Sequence, residues 1–246
     1  MKKTLILLGL TSALTSTASE SPIVGRYDPD AASSNFLVAV SDYVKTGNCI
    51  SGAVAFAAIA NEYPLDDYTA AAKDLSAQLK VLMGENEKWK EPPDWKQLPI
   101  EEQIRYHIFH LRDLHFVQDE WPDECNVLKY TNQLEHAYHP ALELKKIGMP
   151  AVPLLIDLLE DARPTRSVGF WRPWARGGWT LLRYQDVALQ ILEGVAGREE
   201  IFYTRPTTSS YLSTEPVEYR NDVVRKSKDW YMKRRCAEQV GGEERR

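Results

Sequence analysis

Cysteine is scarce in this chain: three in 246 residues, at Cys49, Cys125 and Cys236. They lie too far apart for a metal knuckle, and an odd count allows one disulfide at most with a thiol left over. A Cys125–Cys236 pair would tie a loop to the C-terminal segment and leave Cys49 free. Glycine supplies no signature either. The sequence contains no Gly-x-Ser-x-Gly elbow, no phosphate-cradling glycine loop and no dinucleotide fingerprint, so it gives no support to serine-hydrolase or nucleotide chemistry. Beyond the N-terminus, no apolar run approaches the roughly 20 residues that a membrane-spanning helix needs. The formal net charge of −5 disfavours indiscriminate attraction to nucleic acid or anionic lipid.

What is present begins at the N-terminus. Lys2 and Lys3 precede an apolar run from Leu5 to Leu14, and the small residues "TSTAS" follow. This pattern predicts a secretory signal peptide over residues 1–18, cleaved near Ala18 with Ser19 as the competing position. The expected location is therefore exported, periplasmic or extracellular. The absence of a cysteine beside that position speaks against a lipid-anchored N-terminus. Loss of the segment removes two lysines and no acid, taking the net charge from −5 to −7.

The remaining periodicity is helical and predicts an all-α chain. Phe36, Leu37, Val40 and Val44 mark a first amphipathic helix that Gly47 ends; "CISGAVAFAAIA" reads as a buried helix. In a third, Tyr68, Ala72, Leu75, Leu79 and Leu82 share a face, with Asp66 and Asp67 in its first turn. Together these predict an N-terminal α-helical subdomain over 31–91. The three prolines of "KWKEPPDWKQLP" mark a candidate linker. Pro99, Glu101 and Glu102 then open a helix with Ile100, Ile104, Ile108 and Leu111 on its stripe. A long irregular segment, Phe116 to Tyr130, follows. Pro140 starts and Gly148 stops a short helix, and Pro150 restarts the chain into one carrying Val152, Leu155, Ile156 and Leu159. "YQDVALQILEGVAG" gives the next helix. The tail predicts a final helix through Trp230 that frays at Gly241–Gly242, leaving 237–246 as a flexible tail.

"ALELKKIGMPAVPLLIDLLED" and "QDVALQILEGVAG" resemble HEAT-type helical repeats. Together "LPIEEQIRYHIFHLRD", "RPTRSVGFWR" and "RYQDVALQILEGVAGR" resemble an uncharacterised group of exported bacterial proteins with HEAT-like C-terminal halves. The resemblance implies a fold and no activity: an α-solenoid-like array of HEAT-type helix pairs over 98–236, with a long Arg/Trp-rich connection between two units. Such arrays normally need about three neighbouring repeats, and a third is not visible, so the N-terminal helices are expected to cap the stack.

Three places could carry chemistry. The first is that connection. Between Arg163 and Arg183 the chain holds Arg163, Arg166, Arg172, Arg176, Arg183, Trp171, Trp174 and Trp179 with no acidic residue among them. Guanidinium forks bind carboxylate, sulfate or phosphate bidentately and indoles stack on sugar or peptide rings, which makes this a candidate ligand site. The same residues serve equally as a structural clasp, with the arginines reaching helix C-terminal carbonyls or Asp157, Asp161 and Asp186.

The second is Cys49, where an apolar helix begins. A helix N-terminus lowers a thiol pKa, and papain-like and calpain-like hydrolases place their nucleophile there. The aromatic residue that usually follows, and a recognisable His-plus-Asn/Asp context, are both missing. The third is the histidine cluster. All five histidines, His107, His110, His115, His136 and His139, lie in one region, and Glu135 beside His136 and His139, with His107 and His110, makes a candidate zinc set. "EHAYH" is not the zincin order, and His107 and His115 continue an apolar face, which suits hydrogen-bonded core residues.

The leading expectation is an exported, non-enzymatic binding or scaffold protein without a cofactor. It would take a protein, a peptide or an anionic glycan through the Arg/Trp segment. A cysteine hydrolase using Cys49 and a zinc protein using the histidines are the alternatives.

Overall fold

Proline and capping residues set the helix starts. The computed structural model describes residues 29–115, 127–128, 138–170, 179–197 and 211–243. Within them the helices are α1 (Pro29–Thr46), α2 (Cys49–Glu62), α3 (Tyr68–Lys88), α4 (Ile100–His110), α5 (Pro140–Ile147), α6 (Val152–Asp157), α7 (Tyr184–Ala196) and α8 (Val217–Glu243). The Asn48 side chain caps α2, accepting from the Ile50 and Ser51 amides at 3.0 and 3.1 Å. Asp66 serves α3 in a similar way, accepting from Tyr68 N at 3.0 Å. At the end of α5, Gly148 has φ +72, a conformation that L side chains rarely adopt, so the helix stops where the sequence predicts. The final helix runs on through Gly241 and Gly242 to Glu243, past the expected fray.

The described residues are mostly helical, in keeping with the all-α expectation, with a small sheet beside the helices. The Arg/Trp connection contributes a two-stranded antiparallel hairpin, β1 (Pro164–Phe170) paired with β2 (Trp179–Arg183). Its register places Pro164 opposite Arg183 and Phe170 opposite Trp179, with an irregularity between Pro164 and Val168. Thr165, Ser167, Val168, Leu181 and Leu182 are all buried, so no clean period of two marks the strands. The buried hydroxyls are satisfied: Thr165 Oγ1 donates to Leu182 O at 3.0 Å and Ser167 Oγ to Leu114 O at 2.7 Å.

In the N-terminal part α2 packs on α1 and α3; in the C-terminal part α5 and α6 both pack on α7, α5 also touches α4, and α6 also touches α8. A single apolar core runs through both, from Ala32 on α1 to Trp230 on α8. The proline-rich "KWKEPPDWKQLP" is packed down: Trp89 stacks on Phe109 with centroids 3.7 Å apart, and Trp95 stacks on Tyr106 at 5.5 Å. Most of the irregular segment after Leu114 lies outside the described residues. Val127, which is buried, donates its amide to the Gln190 side chain on α7 at 2.8 Å. Among the described residues no helix is long and apolar enough to cross a membrane.

Candidate functional site

The hairpin is fastened by its own arginines. Arg163, just before β1, turns its guanidinium onto Asp161, with Nε 2.9 Å from both carboxylate oxygens, and reaches Glu85 near the end of α3. It also lies 4.5 Å over the Tyr184 ring. Burial opposes its charge, but Asp161 and Glu85 outweigh that and raise its pKa. Arg166 points to the end of α1, where Nε donates to Val44 O at 2.9 Å and Nη2 to Lys45 O at 2.8 Å. These are last-turn carbonyls, left without helical partners and at the negative end of the helix dipole. Arg183 donates from Nη1 to Ala162 O at 2.5 Å and from Nη2 to Asp74 on α3 at 2.7 Å.

All three arginines at the foot of the hairpin therefore have internal partners, the geometry of a clasp. Arg163 spends its guanidinium on carboxylates, Arg166 on helix carbonyls, and Arg183 on one of each. Trp171, Arg172, Trp174 and Arg176 lie outside the described residues, in the eight-residue stretch joining the paired ends of β1 and β2. Trp179 belongs to β2 through its backbone pairing with Phe170.

Behind the clasp lies a cavity of about 400 Å3 between α3, α4 and α6. Trp89, Ile108, Phe109, Leu154 and Leu158 give it apolar walls. Arg112, 6% exposed, also lines it, and each of its guanidinium nitrogens has a partner. Its guanidinium sits 3.7 Å over the Phe109 ring, Nε donates to Phe109 O at 2.7 Å, Nη2 donates to Glu85 at 2.6 Å and Nη1 meets Asn86. Glu85 thus takes Arg112 on one oxygen and Arg163 on the other. The sequence reading overlooked Glu85, Trp89 and Arg112. One signal was available for the last: a cation directly after Leu111, on the stripe that also carries Ile104 and Ile108.

The histidines have separate occupations. His107 is 1% exposed and its Nδ1 lies 2.7 Å from the Tyr138 hydroxyl. Burial lowers its pKa to about 4, so it is neutral near pH 7. His110 approaches Glu91 at 3.4 Å and Asp113 at 3.6 Å, while Glu91 also accepts from Trp89 Nε1 at 2.8 Å and Tyr106 Oη at 2.9 Å. His139 caps α5, its Nδ1 accepting from Leu142 N at 3.3 Å. His115 is exposed. Glu135 and His136 lie outside the described residues. Among the described residues no three His, Cys, Asp or Glu side chains gather so as to hold a metal ion.

Cys49 is the first residue of α2, as predicted, and half-buried. Its environment works against a nucleophile. Burial pushes the thiol pKa up and the charge of Asp113 adds to this, against the opposing pull of Arg112; Sγ donates weakly to Gly47 O at 3.8 Å. Cys236 carries an exposed free thiol on α8, and Cys125, its expected partner, lies outside the described residues.

Asp186 joins the second half together. Both its oxygens accept backbone amides at 2.7 Å, one from Arg183 at the start of α7 and one from Ser213. It is buried, and that burial raises its pKa although both amides pull the other way. Compared with protein-family models, with curated proteins and with solved structures, the chain matches none of them.

Proposed function

We propose that this is an exported, non-enzymatic binding protein with HEAT-like pairing in its C-terminal half, whose partner is a protein, a peptide or an anionic glycan. The partner meets the stretch 171–178, "WRPWARGG", through Arg172, Arg176 and the indoles of Trp171 and Trp174. One observation supports the reading: Arg163, Arg166 and Arg183 fasten the base of the hairpin to the helices, and the stretch between its strand ends carries the two other arginines, Arg172 and Arg176. A fixed base limits the ordering cost of presenting a recognition stretch. Export rests on the N-terminal pattern of Lys2, Lys3 and the Leu5–Leu14 run.

The test is binding to immobilised sulfated and carboxylated polysaccharides and to an acidic peptide, across a salt series. Arg172→Ala with Arg176→Ala should weaken the retained probe by roughly tenfold or more with an unchanged thermal midpoint. Retention of full affinity by the double variant, or failure of every probe to bind, rejects the reading.

A further inference from the structure

The cavity between α3, α4 and α6 plays no part in that reading. Its volume of about 400 Å3 falls in the range of small-molecule sites. Most of the charge around it is already committed. Arg105 pairs with Glu101 at 2.9 Å, Arg112 with Glu85 at 2.6 Å, and Arg163 with Glu85 and Asp161. Two lining groups have no partner among the described residues: the Lys88 ammonium in the last turn of α3 and the Asp157 carboxylate at the end of α6. Both are exposed. One uncommitted cation, from α3, and one uncommitted anion, from α6, therefore line the cavity together with its apolar side chains.

We infer that this cavity binds a small zwitterion of the α-amino acid class with a large apolar side chain. Lys88 receives the carboxylate, Asp157 receives the ammonium, and the side chain packs against Trp89, Ile108 and Leu154. The orientation follows from Arg112. Its guanidinium is held by Glu85, Asn86 and the Phe109 carbonyl, so no free cation draws the carboxylate inward and the charged end stays at the mouth. A simple organic anion would leave Asp157 facing it without compensation, and a neutral ligand would use neither rim charge.

Calorimetric titration of the full chain with L-tryptophan, L-phenylalanine and L-leucine tests this. At least one should bind saturably at one site. The amide of that acid, lacking the carboxylate, and its N-acetyl derivative, lacking the ammonium, should each bind roughly tenfold more weakly. Lys88→Ala should abolish the discrimination against the amide, and Asp157→Asn the discrimination against the N-acetyl form. Both side chains are exposed, and an unchanged thermal midpoint verifies that each variant folds. Arg172→Ala with Arg176→Ala should leave the titration unaltered, which separates this site from the hairpin. Absence of saturable binding by all three acids, or binding that ignores either substitution, overturns the inference.

Discussion

Glu85, near the end of α3, holds Arg163, 78 residues further along the chain, and gives its second oxygen to Arg112. One carboxylate therefore joins the N-terminal helices to the foot of the hairpin and to the turn after α4. Removing it leaves two guanidinium groups short of an acceptor in a largely buried setting. Glu85→Ala should cost about 3 kcal/mol, read by denaturant unfolding. Glu85→Gln keeps an acceptor and should cost less. Equal, near-zero losses would show that the pair is solvated.

Arg166 makes two hydrogen bonds to the last turn of α1. Arg166→Ala should destabilise the protein by about 1–2 kcal/mol, and Arg166→Lys should recover only part of this because an ammonium lacks the planar fork. A thermal midpoint indifferent to both substitutions would mean that the clasp is dispensable.

Gly169 faces Tyr211 so closely that a Cβ at position 169 would lie 1.9 Å from the tyrosine hydroxyl oxygen and 2.2 Å from Cζ. Gly169→Ala should cost about 3 kcal/mol or more, since Tyr211 is buried and has little room to yield. Gly169→Ala in a Tyr211→Ala background should be far milder. Additive losses in that double-mutant cycle would contradict the contact.

His107 couples folding to acidity. Its pKa is lowered by burial from 6.5 to about 4, so above pH 6.5 both the folded and the unfolded chain hold it neutral. As pH falls from 6.5 to 4 the unfolded chain takes up the proton first, and stability is lost through that window. The loss should reach a few kcal/mol. His107→Phe should flatten that part of the stability–pH curve, and an unchanged slope would assign it to other groups.

Cys49 and Cys236 should alkylate at different rates. Burial raises the Cys49 pKa and half-covers its sulfur, whereas Cys236 is exposed. Peptide mapping after brief iodoacetamide treatment near pH 7 should find Cys236 labelled well ahead of Cys49. Faster labelling at Cys49 would restore the nucleophile reading.

Local signals carried much of the helical layout. Pro140 opening α5, Gly148 closing it and the stripe through Tyr68, Leu75 and Leu82 each act within one or two turns, so the sequence alone exposes them. The cavity was not legible in the same way. Lys88, Phe109 and Asp157 come from three helices, and only their packing makes them neighbours.

By itself the amino-acid sequence determined that the chain is mostly helical and where most of its helices start and stop, because caps, prolines and apolar spacing are local. It also revealed the cation-rich stretch from Arg163 to Arg183. Only the tertiary structure decided that this stretch pairs into a hairpin, since Thr165, Ser167 and Val168 are buried together and hide the alternation of a strand. It likewise decided what Arg163, Arg166 and Arg183 do. Their acceptors, Glu85, Val44 and Asp74, lie 78, 122 and 109 residues away, and an arginine's role follows from which acceptor the fold brings within reach.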